Sequence, residues 1–155
     1  MRKRRWSVWG SKPLLPAKVL NALQPWEGPN RIWKAYPAEK MILVDTSVWI
    51  DHLRTGNAGL TALLDSCRVL IHPFIIGEIA CGNLKNRNNI LNLLHTLPQS
   101  RQASHDEVLT LLEMNNLYGK GIGWIDAHLL GAAKISGAEL WTFDRTLAEV
   151  YETLR

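Results

Sequence analysis

Residues 41–53 read Met-Ile-Leu-Val-Asp-Thr-Ser-Val-Trp-Ile-Asp-His-Leu, and this stretch decides the fold. Met41 to Val44 is a short apolar run rich in β-formers. It is followed at once by residues that can start a helix: Thr46 or Ser47 as the cap, then Val48, Trp49, Ile50 and Leu53 on its apolar side. A strand that is apolar throughout is one covered on both faces, which is the mark of a parallel sheet between helices.

The same alternation runs on toward the C-terminus. Gly56 and Gly59 break the first helix, and Leu60, Leu63 and Leu64 give a second amphipathic turn. Val69 to Ile71 reads as a second buried strand ended by Pro73, and Phe74 to Cys81 as a helix that Gly82 terminates. Further helices are expected over Ile90 to Leu97, Asp106 to Leu117 and Trp124 to Ser136, the last preceded by a glycine loop, Lys120 to Gly123. Leu140 to Thr142 makes a third strand and Thr146 to Leu154 a closing helix. Strands separated by helices define an α/β domain with a central parallel sheet and helices on both faces. In such sheets ligands sit at the carboxyl ends of the strands, so polar residues placed directly after strands are candidates for chemistry.

Composition is consistent with one domain and an appendage. The chain has 155 residues, 46% of them hydrophobic, enough for a real core. Residues 1–40 differ in character: they hold five of the seven prolines and four of the seven tryptophans. They also hold nine of the 18 Lys and Arg against two of the 14 acids, a net +7, which leaves residues 41–155 at −3. The basic balance therefore belongs to the extension, and the body has no global field to draw nucleic acid. Three readings of residues 1–40 follow: a disordered tail, which the composition favours; a basic, aromatic-interleaved arm that touches RNA; or upstream sequence ahead of a start at Met41. Cys67 and Cys81 lie in apolar stretches without metal-ligand spacing and read as reduced core residues. No apolar run approaches the roughly 18 residues of a membrane span, so a soluble, cytoplasmic protein is expected.

Four acids stand out by placement. Asp45 directly follows the first strand and Asp144 the third, so a parallel sheet brings them to one edge. Glu78 is embedded in Phe74-Ile-Ile-Gly-Glu-Ile-Ala-Cys, and Asp126 opens the helix of Gly123-Trp-Ile-Asp-Ala-His. Buried carboxylates are costly unless compensated, and these four lack basic neighbours in sequence; a shared divalent cation would resolve the conflict. An all-oxygen donor set selects Mg²⁺ or Mn²⁺. Each acid alone has a plain alternative, such as a helix cap for Asp144 or a distant cation for Glu78. Asp51, Asp65, Asp106, Glu107, Glu113, Glu149 and Glu152 occupy polar faces or helix starts and are taken as solvated. His128, about 200° around the helix from Asp126, reads as a packed histidine, and His72 as a residue at a strand end that packs or lines the cleft.

At these residues the chain resembles PIN-domain ribonucleases, specifically the VapC toxins of bacterial toxin–antitoxin pairs. The resemblance is carried in order by Val44-Asp-Thr-Ser-Val-Trp-Ile-Asp, Glu78 in its apolar helix, Gly121-Ile-Gly-Trp-Ile-Asp-Ala-His-Leu-Leu and Leu140-Trp-Thr-Phe-Asp. It implies a PIN-like three-layer sandwich over residues 41–155 and Mg²⁺- or Mn²⁺-dependent endonucleolytic cleavage of RNA. It also implies inhibition by a cognate antitoxin protein and a homodimer. Its acidic quartet falls on Asp45, Glu78, Asp126 and Asp144 as catalytic residues and metal ligands, with supporting hydroxyls on Ser47 or Thr46 and on Thr142. The extension departs from the family pattern. Rival readings are weaker: a haloacid-dehalogenase-type phosphatase needs a second Asp where Ser47 stands, and neither a nucleophile elbow nor a phosphate loop is present. Two alternatives remain: a non-catalytic RNA- or partner-binding protein on a degenerate nuclease fold, which the intact quartet opposes, and a DNA-directed or flap nuclease of the same fold, against which the small size and the lack of a basic body favour a short structured RNA.

Overall fold

The computed structural model describes residues 40–155, and the expectations for residues 1–39 lie outside it. Three strands form a parallel sheet in the order β2-β1-β3, with β1 over Ile42–Val44, β2 over Val69–Leu70 and β3 over Glu139–Trp141. Leu43 and Val44 point to opposite sides of the sheet, and both have 0% exposure, so both faces are covered. This is the three-layer α/β arrangement that the unbroken apolar strands predict. Ile71, expected as the last residue of β2, instead makes an isolated parallel bridge to Gln99.

Among the described residues there are seven helices: α1 (Thr46–Thr55), α2 (Ala58–Asp65), α3 (Pro73–Cys81), α4 (Arg87–His95), α5 (His105–Met114), α6 (Trp124–Ser136) and α7 (Arg145–Thr153). The cap of α1 is Asp45, whose side chain accepts from the Ser47 N–H, and not Thr46 or Ser47, which lie inside the helix. An ionised carboxylate is as good an N-cap as a hydroxyl and also favours the positive end of the helix dipole. Helix α5 starts one residue earlier than the apolar pattern indicates, because Ser104 and Glu107 form a capping box. It packs closely on α6: a Cβ at Gly131 would stand 3.6 Å from Val108 Cγ2 of α5 and 3.1 Å from the Cβ of Ala103 just before it.

Two further expectations are corrected. Cys67 and Cys81 are exposed free thiols, since one occupies the turn before β2 and the other the outer side of the last turn of α3. Glu78 is exposed as well: α3 turns Ile75, Ile76 and Ile79 inward and leaves Gly77 and Glu78 outside.

His128 is buried, as its position predicts, within an aromatic cluster. Its ring lies 4.7 Å from Trp124, 4.9 Å from Phe74, 5.2 Å from His105 and 6.4 Å from His72, centroid to centroid. His72, also buried, caps α3 by accepting the Phe74 N–H at Nδ1, 3.1 Å away. That bond requires a lone pair on Nδ1, so the ring is held neutral with its proton on Nε2. Burial, and secondarily the neighbouring His128, push the His72 pKa down to about 4.

A base whose pKa is lowered by folding is neutral in both states at high pH, but binds its proton only in the unfolded chain as pH falls. The stability it supports is therefore complete above its ordinary value near 6.5 and lost progressively between there and about 4. The loss is about 3 kcal/mol at its limit. His72→Asn retains a capping acceptor and cannot titrate, so the wild-type protein should lose stability relative to this variant across that window in urea unfolding at stepped pH. A difference that stays constant from pH 7 to 4 would remove His72 as the cause.

Candidate active site

The site grows from the carboxyl ends of β1 and β3. Register pairs Val44 with Trp141, and the Asp45 N–H continues the ladder by donating to the Trp141 carbonyl at 2.9 Å. Asp45 and Thr142 are thus the next residues on adjacent strands. Asp45 is buried, and its Oδ2 accepts from Ser47 Oγ at 2.6 Å, Thr142 Oγ1 at 2.8 Å and the Ser47 N–H at 3.2 Å. Ser47 Oγ in turn accepts from the Phe143 N–H at 3.0 Å, and Thr142 Oγ1 from the Asp144 N–H at 2.9 Å. Both hydroxyls expected to support the site therefore do two things: they hold Asp45 and they fasten the chain leading into Asp144.

The other acids are held in the same one-handed manner. Asp144 caps α7 by accepting the Leu147 N–H at Oδ1, 2.9 Å away. Asp126, in the first turn of α6, accepts the Gly123 N–H at Oδ2, 2.7 Å away. Thr46 Oγ1 donates to Glu78 Oε2 and so ties α3 to the start of α1. In all four, the hydrogen bonds made among the described residues fall on one carboxylate oxygen and leave the second without a partner there. Among the described residues, none of the four makes an ion pair; the pairs there are Lys40 and Arg155 with Glu139, Arg145 with Glu149 and Arg155 with Glu152.

The expected burial of the quartet holds only in part. Asp45 is buried and Asp126 half-buried, whereas Asp144 and Glu78 are exposed. Burial pushes the Asp126 pKa up, the charges of Asp45 and Asp144 push it the same way, and the Gly123 N–H opposes them. Three carboxylates from three separate stretches of chain thus act on one another. Glu78 joins through the Thr46 hydroxyl. Among the described residues, no three His, Cys, Asp or Glu side chains are gathered into a finished metal site. The glycine loop before Asp126 is shaped by Gly121, whose φ of +81° excludes most side chains and whose place beside Thr146 brings the loop to the start of α7.

A parallel sheet carrying acids at the ends of its first and third strands, joined by an acid at a helix start, defines a PIN domain, and the PIN domain family profile matches residues 42–153: this chain belongs to that family. Among its relatives is Ribonuclease VapC32 of Mycobacterium tuberculosis, from strains CDC 1551 / Oshkosh and ATCC 25618 / H37Rv. This relative is 49% identical over 108 residues, which is 69% of this chain and 87% of the relative.

Sequence reasoning missed the Gly123 amide as the partner of Asp126 and the Ser104 capping box that sets His105 beside Trp124. The second was visible as Ser-His-Asp-Glu over residues 104–107. Thr142→Val keeps the side-chain volume but strips one donor from Asp45 and the acceptor from Asp144. It should cost about 1–2 kcal/mol in urea unfolding, and less when Ser47 is already Ala, since both hydroxyls serve one oxygen. An unchanged midpoint in Thr142→Val would show that this bond does not hold the site together.

Proposed function

We propose that this PIN-domain protein is an RNA-hydrolysing ribonuclease of the VapC toxin type, an endonuclease that cuts phosphodiester bonds at Asp45, Glu78, Asp126 and Asp144 with Mg²⁺ or Mn²⁺. Family membership and the identity to a relative named as a ribonuclease support the activity. The observation that carries the site is the open oxygen on each of four acids that have no ion-pair partner among the described residues. Hard, anionic oxygens are what Mg²⁺ and Mn²⁺ prefer. Mg²⁺ keeps much of its water and takes only one or two carboxylates directly, so a site need not be closed by protein ligands in advance.

Asp45 and Asp126 are the ligands of choice, being the least solvated of the four. A cation held by these two residues would supply a positioned water and offset the charge that builds on the phosphoryl group. Ser47 and Thr142 fix the Asp45 carboxylate through Oδ2, so that its other oxygen would be the one to hold a cation, and Thr46 fixes Glu78 through Oε2 in the same way. Asp144 and Glu78, open to solvent, are suited to hold metal-bound waters or to take the proton of the attacking water. The partners in this reading are an RNA substrate, a cognate antitoxin protein and a second copy of the chain.

Asp45→Asn and Asp126→Asn should each abolish cleavage of total cellular RNA in Mg²⁺ or Mn²⁺ and leave circular dichroism unchanged. In the wild-type protein the melting temperature should rise with the metal, by the equivalent of about 2.7 kcal/mol at a hundredfold excess over Kd. Asp45→Asn should shrink that rise. Full activity in either variant would remove that residue from the site. Absence of both cleavage and metal binding would favour the non-catalytic, RNA- or partner-binding reading.

Residues 1–40 are proposed as an appendage to this unit. A chain shortened to residues 41–155 is expected to fold and cut RNA like the full chain, by circular dichroism and the same cleavage assay. Unfolding on shortening would contradict the appendage reading. A folded product with weaker, less salt-sensitive RNA binding would make the extension an RNA-contacting arm.

A further inference from the structure

Two aromatic rings stand at the rim of the acid cluster with much of their area in solvent: Phe143 is 53% exposed and Trp124 is 41% exposed. Phe143 lies between Thr142 and Asp144, and its N–H is bound to the same Ser47 hydroxyl that holds Asp45. Trp124 opens α6 directly after Gly123, whose N–H holds Asp126. The two stretches converge, since Asp126 feels the charge of Asp144 and a Cβ at Gly121 would stand 3.5 Å from Thr146 Cγ2.

Both rings are held in place by edge contacts. Phe143 meets Trp141 at 5.9 Å and 88°, and Trp124 meets His105 at 5.5 Å and 88° and His128 at 4.7 Å and 82°. Such packing fixes the direction of a ring without hiding it. Core packing gives no reason to leave this area wet, since apolar surface kept in water forfeits about 25 cal/mol per Å². Electrostatics adds a constraint, because residues 41–155 carry a net −3 and do not attract a phosphate chain. Within residues 41–155, contacts indifferent to charge can supply affinity that this net charge does not, and the face of a base on an aromatic ring is one.

We propose that Phe143 and Trp124 stack the bases adjoining the phosphate presented to the acids. This rests on the ribonuclease reading. A base inside a duplex already has both faces covered by its neighbours and offers none to these rings.

The test is fluorescence anisotropy with the full chain and two labelled probes of equal length: a single-stranded oligoribonucleotide, and an abasic ribose-phosphate chain. Ca²⁺ replaces Mg²⁺, and strand integrity is checked on a gel. Phe143→Ala should weaken the base-bearing strand about 5- to 150-fold, the equivalent of about 1–3 kcal/mol of stacking, and leave the abasic chain unchanged. Phe143→Tyr should bind like the wild type. Trp124→Leu, which keeps an apolar contact on His128 but has no π-face, should show the same base-selective loss. Wild-type binding that does not distinguish the two probes overturns the proposal. So do Phe143→Ala and Trp124→Leu proteins that bind both probes like the wild type or weaken both equally. Base-selective losses without any cutting in Mn²⁺ would sink the ribonuclease reading alone; cutting with no base-selective loss would sink the stacking alone.

Discussion

The parallel pairing of β1 with β3 is the constraint on which the site depends. Because Val44 is opposite Trp141, the next residue on each strand emerges at one edge, and Thr142 Oγ1 meets Asp45 Oδ2 without any loop having to reach across. The helices complete the arrangement. Asp45 begins α1, Asp144 begins α7, and Asp126 lies in the first turn of α6, so three positive helix ends support three like charges drawn into mutual range. The cluster's repulsion is thereby met partly by backbone dipoles, since none of these acids has an ion-pair partner among the described residues.

Much of this was legible in the sequence, because the signals were local and periodic. Unbroken apolar strands, each followed by an acid, located Asp45 and Asp144, and the span Trp124–Ser136 could be read to its last residue from Gly123 before it and Gly137 after it. Apolar neighbours in sequence misled where rotation mattered. Glu78 sits among isoleucines yet faces water, because a helix turns about 100° per residue and shows adjacent residues to different surroundings. Cys81 follows the same rule. The aromatic cluster around His128 was illegible for another reason: Phe74, His105 and Trp124 meet only through tertiary packing, which leaves no spacing to count.

Single-oxygen anchoring also bears on how the site is readied. Each acid loses rotamer freedom when the chain folds, so the cost of ordering it falls on folding rather than on ligand binding. The other oxygen, without a partner among the described residues, could take one with little rearrangement. Asp126 shows the balance most clearly, pushed toward its neutral form by burial and its neighbours and held toward the charged form by the Gly123 amide.

The double duty of Asp45 and Asp144 as helix caps shapes how the gene can decay. Asparagine caps a helix about as well as aspartate, so a lineage that drifts from Asp to Asn at either position keeps its α1 or α7 start and loses only a charge. Foldability exerts no selection against such a change. The fold alone therefore does not require an acid at these two positions, and under the proposed function a well-folded, inert copy of this domain lies one substitution away.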